Sequence, residues 1–295
     1  MAFAGANPWG RSLMRRFVLS LLMALLAVVP GHAQDMSGFS KAQRAEIIRF
    51  AANNSLFVLY HEMAHLLVDQ LRLPVLGREE DAADNMATWT LLNKRTPEAD
   101  KALADAAQGW VLTGVAYGSG KFEEDLAAAH SLDQQRAYQI VCLMVGSDES
   151  AFRPIANQYA IGRDRQDSCY WDYQLVDRSL RGVLEEHMGD GTKVSVTYHD
   201  AGGRLKFAAD AFRSSGVFDE VAEDLRKSYN LRRAVKFNAR RCGEANAYYD
   251  PDTIEIIFCY ELMKDFMELY AAELPAPVEP APRPSGAGKV KSGIQ

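Results

Sequence analysis

Ser55 to Leu71, SLFVLYHEMAHLLVDQL, is the segment that most restricts the fold. Its apolar side chains run almost all the way round a helical circumference, which predicts a helix in the core rather than on the surface. The same segment carries His61-Glu62-Met63-Ala64-His65. Residues four apart share one helix face, so both imidazoles reach one metal ion from the same side. Glu62 stands one step round from His61, close enough to touch a water beside that metal without being a ligand. The pattern predicts a buried helix with a metal site and a carboxylate base next to it.

A catalytic zinc usually takes three protein ligands and keeps a fourth position open. Past a break at LPVLG (73–77) comes Glu79-Glu80-Asp81-Ala82-Ala83-Asp84, at the start of a further predicted helix. Glu80 is the expected third ligand. Asp84, one turn on, is expected to accept the other N–H of His61 or His65 and so fix that ring's direction. Glu79 and Asp81 read as carboxylates that offset a helix dipole.

His130 lies just before Ser131-x-x-Gln134, a capping signature. From there it is a candidate donor to the oxyanion that forms during amide hydrolysis, the alternative being an exposed loop histidine. Arg136, inside the same predicted helix, reads either as a group for a substrate carboxylate or as a partner of Asp133, and the pair is expected. His187 and His199 read as surface residues, and Trp89, Trp110 and Trp171 as core. No serine elbow, phosphate-binding loop or dinucleotide fingerprint competes for the chemistry.

The coarse pattern is α+β: a mainly helical body over 34–186, then a small α+β unit over 187–274. In the body, helices are expected over about 40–52 (with Ser40 as N-cap), 55–71, 78–92, 99–117 and 131–146. In the second unit, Lys193–Tyr198 alternates like a strand, and Leu205–Ala208 is expected to return antiparallel to it. A helix over Val217–Tyr229, strands over Ala234–Ala239 and Thr253–Cys259, and a helix over Glu261–Leu274 follow. Tyr249-Asp250-Pro251-Asp252 is a turn signal.

Residues 1–33 read as a secretory signal: Arg11, Arg15 and Arg16, then the uncharged run Phe17–Val29, then small residues before a cut after Ala33. The run is short for a membrane span, so no stable span is expected after cleavage, and the mature chain is expected to be exported, periplasmic or secreted. Loss of three arginines takes the net charge from −6 to −9, which disfavours nucleic acid as a partner. The Pro/Gly-rich stretch 275–295 reads as a disordered tail. Cys142, Cys169, Cys242 and Cys259 are an even set in an exported chain without C-x-x-C spacing, so two disulfides are expected. Sequence order favours Cys142–Cys169 and Cys242–Cys259, the second stapling a hairpin.

The pairing of H-E-x-x-H with E-x-x-A-D resembles the gluzincin class of zinc metallopeptidases, to which thermolysin belongs. YHEMAHLLVDQLRLPVLGREEDAADNMAT, HSLDQQRAYQIVCLMVGSD and CGEANAYYDPDTIEIIFCYEL resemble a family of mostly bacterial exported proteins classed as metallopeptidases on that motif. The resemblance implies a zincin-like helical body, one zinc ion per chain and a peptide or protein substrate. His65 and Glu80 stand closer than in the broader gluzincin pattern, which leaves Glu79 and Asp84 as alternative ligands. Two other functions fit the residues: a non-peptidase zinc amide hydrolase of the cell envelope, and a metal-stabilised binding protein without catalysis.

Overall fold

Helix α1, Lys41–Leu71, is the axis of the fold. The computed structural model describes residues 36–275, so the expected signal (1–33) and the tail beyond Pro275 lie outside the described residues. Ser40 caps α1 as expected: its hydroxyl accepts the Gln43 N–H at 3.2 Å, and the Gln43 side chain accepts the Ser40 N–H at 2.9 Å. Two helices were expected here, over 40–52 and 55–71; the structure has one. Asn53 and Asn54 do not break it, because both side chains are used by a neighbouring helix. Asn54 donates to Phe50 O and Asp105 O, and Asn53 to Asp105.

Around α1 pack α2 (Glu79–Lys94) and α3 (Pro97–Tyr117). The short α4 (Glu123–Leu126) leads to α5 (Asp133–Ser147), α6 (Glu149–Gln158) and α7 (Arg163–Leu184). The cap of α5 falls one residue later than the sequence signals: Gln135 accepts the N–H of Leu132, while Ser131 donates to Asp81 instead. The Cys142–Cys169 disulfide joins α5 to α7. Trp89 and Trp110 are half-buried, but Trp171 is 71% exposed on α7 and is not core.

The rest of the chain holds β1 (Val194–Tyr198), α8 (Lys206–Ser215), α9 (Val217–Ser228) and β2 (Val235–Arg240), then β3 (Ala247–Asp250), β4 (Glu255–Cys259) and α10 (Tyr260–Glu273). The expected strand at 205–208 is helical. Leu205, Ala208, Ala211 and Phe212 are the buried positions there, and their spacing fits a helix face. Strand β1 therefore has no antiparallel return; it runs parallel to β2, with Val196 opposite Phe237. Strand β2 runs parallel to β4, with Phe237 opposite Ile256, and β3 closes the order β1-β2-β4-β3 as an antiparallel edge.

The fold is thus mainly helical with one small mixed sheet, the α+β class expected. The sheet rests partly on α1, through β3 and β4, so the long helix serves both halves of the chain. Phe212 stacks on Phe258 at 4.0 Å, and Phe218 meets Phe237 edge-on at 5.3 Å, sealing α8 and α9 to the strands. The described residues lie in one compact unit. Among them no helix is long and apolar enough to cross a membrane.

Candidate metal centre

The middle of α1 places His61, Glu62 and His65 at the floor of a cleft, with His61 and Glu62 buried. The sharp turn after α1, with Arg72 left-handed at φ 54°, sends the chain back so that the first turn of α2 faces the imidazoles. Glu80 Oε2 then lies 3.1 Å from His61 Nε2 and 3.3 Å from His65 Nε2, and the two Nε2 atoms are 3.1 Å apart. A tetrahedral zinc with bonds of about 2.0–2.1 Å separates its ligand atoms by about 3.3 Å. The spacing and the nitrogen–oxygen donor set both fit zinc.

Each imidazole is oriented from behind. Asp84 Oδ1 is 2.8 Å from His61 Nδ1, and Glu79 Oε1 is 2.7 Å from His65 Nδ1. These are the carboxylate–histidine contacts that fix tautomer and ring direction at metal sites. The expectation for Asp84 matches this geometry, whereas Glu79, read as a dipole carboxylate, is the residue behind His65. Asp84 is itself gripped by Arg136, with Nε 2.7 Å from Oδ2 and Nη2 2.8 Å from Oδ1. Arg136 was expected on Asp133; it turns inward instead and lies over the Trp110 ring at 3.5 Å. A signal was present: Arg136 shares a helix face with the buried Ile140 and Met144, where an arginine needs a partner.

His130 joins the cluster, its Nε2 2.8 Å from Glu80 Oε2 and its ring nearly parallel to that of His61. Donor atoms of His61, Glu80 and His130 lie within one metal's reach of each other. Cys142, Cys169 and Asp172 also lie close, but both thiols are spent in the disulfide. His187 is half-buried and His199 is exposed, both away from the cluster.

Electrostatics follow from this crowding. Burial works against a charged His61, yet its bonds to Asp84 and Glu80 carry its pKa up to about 9. His65 is raised for the same reason, through Glu80 and Glu79, against its burial. The imidazoles of His130, His61 and His65 hold Glu80 far below the usual carboxylate range. Burial would raise Asp84, but the Arg136 guanidinium and His61 outweigh it and hold it low. An arrangement that attracts protons this strongly also attracts a divalent cation, which would displace them on binding. Glu62 stands apart. Burial pushes its carboxyl up, and its Oε2 accepts the backbone N–H of Tyr249 at 2.9 Å.

That last bond was not foreseen. The 246–251 block reads either as a segment that places a tyrosine over the cleft or, in preference, as a structural hairpin stapled by Cys242–Cys259; the staple is present, and Tyr248 and Tyr249 line the cleft as well. The hairpin also forms the far wall of a cleft of about 530 Å³ over the cluster, where Asn246, Ala247 and Tyr249 face His61, Glu62 and His65.

The model of the family described as "Putative metallopeptidase" matches residues 27–184 and 200–279. The chain belongs to that family. The match takes in α1, the first turn of α2, His130 and the hairpin, so every part of this metallopeptidase-family cleft falls inside it. The family implies a hydrolase that uses a metal, and the His61–Glu80–His130 cluster is a group able to hold one. No curated protein and no solved structure is a match to this chain.

Proposed function

We propose that this metallopeptidase-family chain hydrolyses peptide bonds in exported space, with one zinc held by His61, His65 and Glu80 and with Glu62 as general base. The observation that carries the reading is the convergence of three ligand-type atoms at zinc spacing beside a buried carboxylate, in an open cleft. Zinc, when bound, supplies Lewis-acid polarisation of a carbonyl and lowers the pKa of water.

The chain's own groups supply the rest. Glu62, raised by burial and aimed by Tyr249 N–H, takes the proton of the attacking water and passes it to the leaving amine. His130, whose Nε2 pairs with Glu80 Oε2 at the cleft rim, is the group assigned to donate to the developing oxyanion. Asp84, Arg136 and Glu79 hold the two imidazoles in place. A purely structural metal site has no use for a base such as Glu62, which favours catalysis over a binding role. Two disulfides accord with an oxidising compartment, periplasmic or secreted.

The test is digestion of a random peptide library by the purified chain, with and without a zinc chelator, read by mass spectrometry. New termini that vanish on chelation and return with zinc support the reading. Intact peptides with a fully zinc-loaded chain sink it.

A further inference from the structure

A second cavity, of about 460 Å³, adjoins the first and shares His61, Glu62, His130, Asn246 and Ala247 with it. Its size falls within the range of about 300–1,000 Å³ of ligand pockets. Four helices line it, α5 through Arg136, together with Ala245 and Asn246 just before β3. Val58 precedes His61 by one turn on α1, Trp110 and Thr113 face it from α3, and Leu262 and Phe266 from α10. Those walls are mostly apolar. In the same wall stands Asp265, one turn on from Leu262.

Asp265 is a partly buried carboxylate in apolar surroundings, and burial pushes its pKa up. Its Oδ1 accepts the hydroxyl of Tyr117. Its Oδ2 has no hydrogen-bond partner among the described residues, and no cation there forms an ion pair with it. Lys264, next in sequence, is taken by both oxygens of Glu268 at 2.6 Å. Of the basic groups that line the cavity, Arg136 is spent on Asp84, His61 on Asp84 and Glu80, and His130 on Glu80. Asp265 thus presents one open carboxylate oxygen at the cavity wall, where an incoming cation gains an ion pair and a charge-assisted hydrogen bond.

We infer that this cavity is a specificity pocket for a long basic side chain. The aliphatic stem of a lysine or arginine lies along Val58, Trp110, Leu262 and Phe266, and its charged head meets Asp265 and the Tyr117 hydroxyl. Lysine and arginine stems readily cover apolar surface while the head stays polar. This inference rests on the proposed peptidase reading, since it assigns the side chain next to the bond that Glu62 serves.

The test is fluorescence anisotropy on the zinc-loaded Glu62→Gln chain, which binds without turnover. The probes are labelled glycine-flanked peptides that carry one lysine, arginine, norleucine or glutamate. Lysine and arginine peptides should bind at least tenfold more tightly than norleucine, and glutamate most weakly. In the double variant Glu62→Gln/Asp265→Asn, the basic preference should vanish while norleucine affinity stays the same. Thr113→Lys, which places a cation inside the pocket, should abolish it too and covers the case in which Asp265→Asn misfolds. Equal affinity for lysine and norleucine in the parent, or a basic preference that survives both substitutions, overturns the assignment. A basic preference in binding with no cleavage by the wild-type chain would sink the peptidase reading and leave the pocket standing.

Discussion

The backbone N–H of Tyr249 meets Glu62 Oε2 at 2.9 Å, across 187 residues of sequence. Edge strand β3 thereby fixes the direction of the carboxylate on α1, and the Tyr249 hydroxyl anchors the same strand to Asp69 at 2.6 Å. Glu62 and β3 together form one wall of the cleft.

Glu62→Gln keeps that wall, because an amide oxygen still accepts from Tyr249, but it removes the proton acceptor. Zinc content by elemental analysis should stay near one per chain, while peptide cleavage falls by a factor of at least about 10²–10⁴, the range for losing a general base. Cleavage at the wild-type rate would exclude Glu62 from the role.

His61→Ala and His65→Ala each remove one nitrogen from the three-atom cluster. Either variant should lose most of its bound zinc on dialysis. Unchanged metal content would refute the ligand assignment, whatever happens to activity.

Arg136→Leu leaves Asp84 as a buried charge with its main partner gone. Both side chains are under a tenth exposed, so the expected loss is about 3–5 kcal/mol, read from urea unfolding. A loss below about 1 kcal/mol, the value of a surface pair, would mean that the Asp84–Arg136 bridge is not the anchor described.

Gly146→Ala tests the seam between α5 and α7. A Cβ there would stand 2.1 Å from the Cys169 carbonyl oxygen, which is backbone and has little room to move. Overpacking of this kind costs about 1–3 kcal/mol, with a fall in Tm of about 2–4 °C per kcal/mol for a domain of this size. An unchanged Tm in calorimetry would show that the helices are not in such close contact.

Replacing Cys242 and Cys259 together with serine opens a loop of 17 residues, which should cost about 3 kcal/mol. Because the staple sits at the base of the β3–β4 hairpin, hydrogen exchange at Tyr249 should quicken more than at Phe57 in mid-α1. Equal effects at both would mean that the disulfide does not hold that wall.

Much of the site was legible because it is local. His61 and His65 share a face by helical period alone, and the Ser40 cap and the Glu80–Asp84 turn depend on residues three or four apart. What was misread was long-range. In sequence the single helix over 41–71 reads as two; asparagine competes with helix backbone, but Asp105 takes up the side chains of both Asn53 and Asn54. The 205–208 segment is too short for its period to be read; the helix continues to Phe212, which stacks on Phe258, and Leu205 and Ala208 share its buried face.

The sequence by itself determined that two imidazoles and a carboxylate lie on one buried helical turn, since backbone geometry repeats every few residues whatever surrounds it. Only the tertiary structure decided which groups complete that turn: Glu79 behind His65, Arg136 behind Asp84, His130 at the rim, Tyr249 N–H on Glu62. Those partners come from 14 to 187 residues away. Their pairing is selected by which apolar faces pack together and by the cost of leaving a buried charge alone, and neither is written in local spacing.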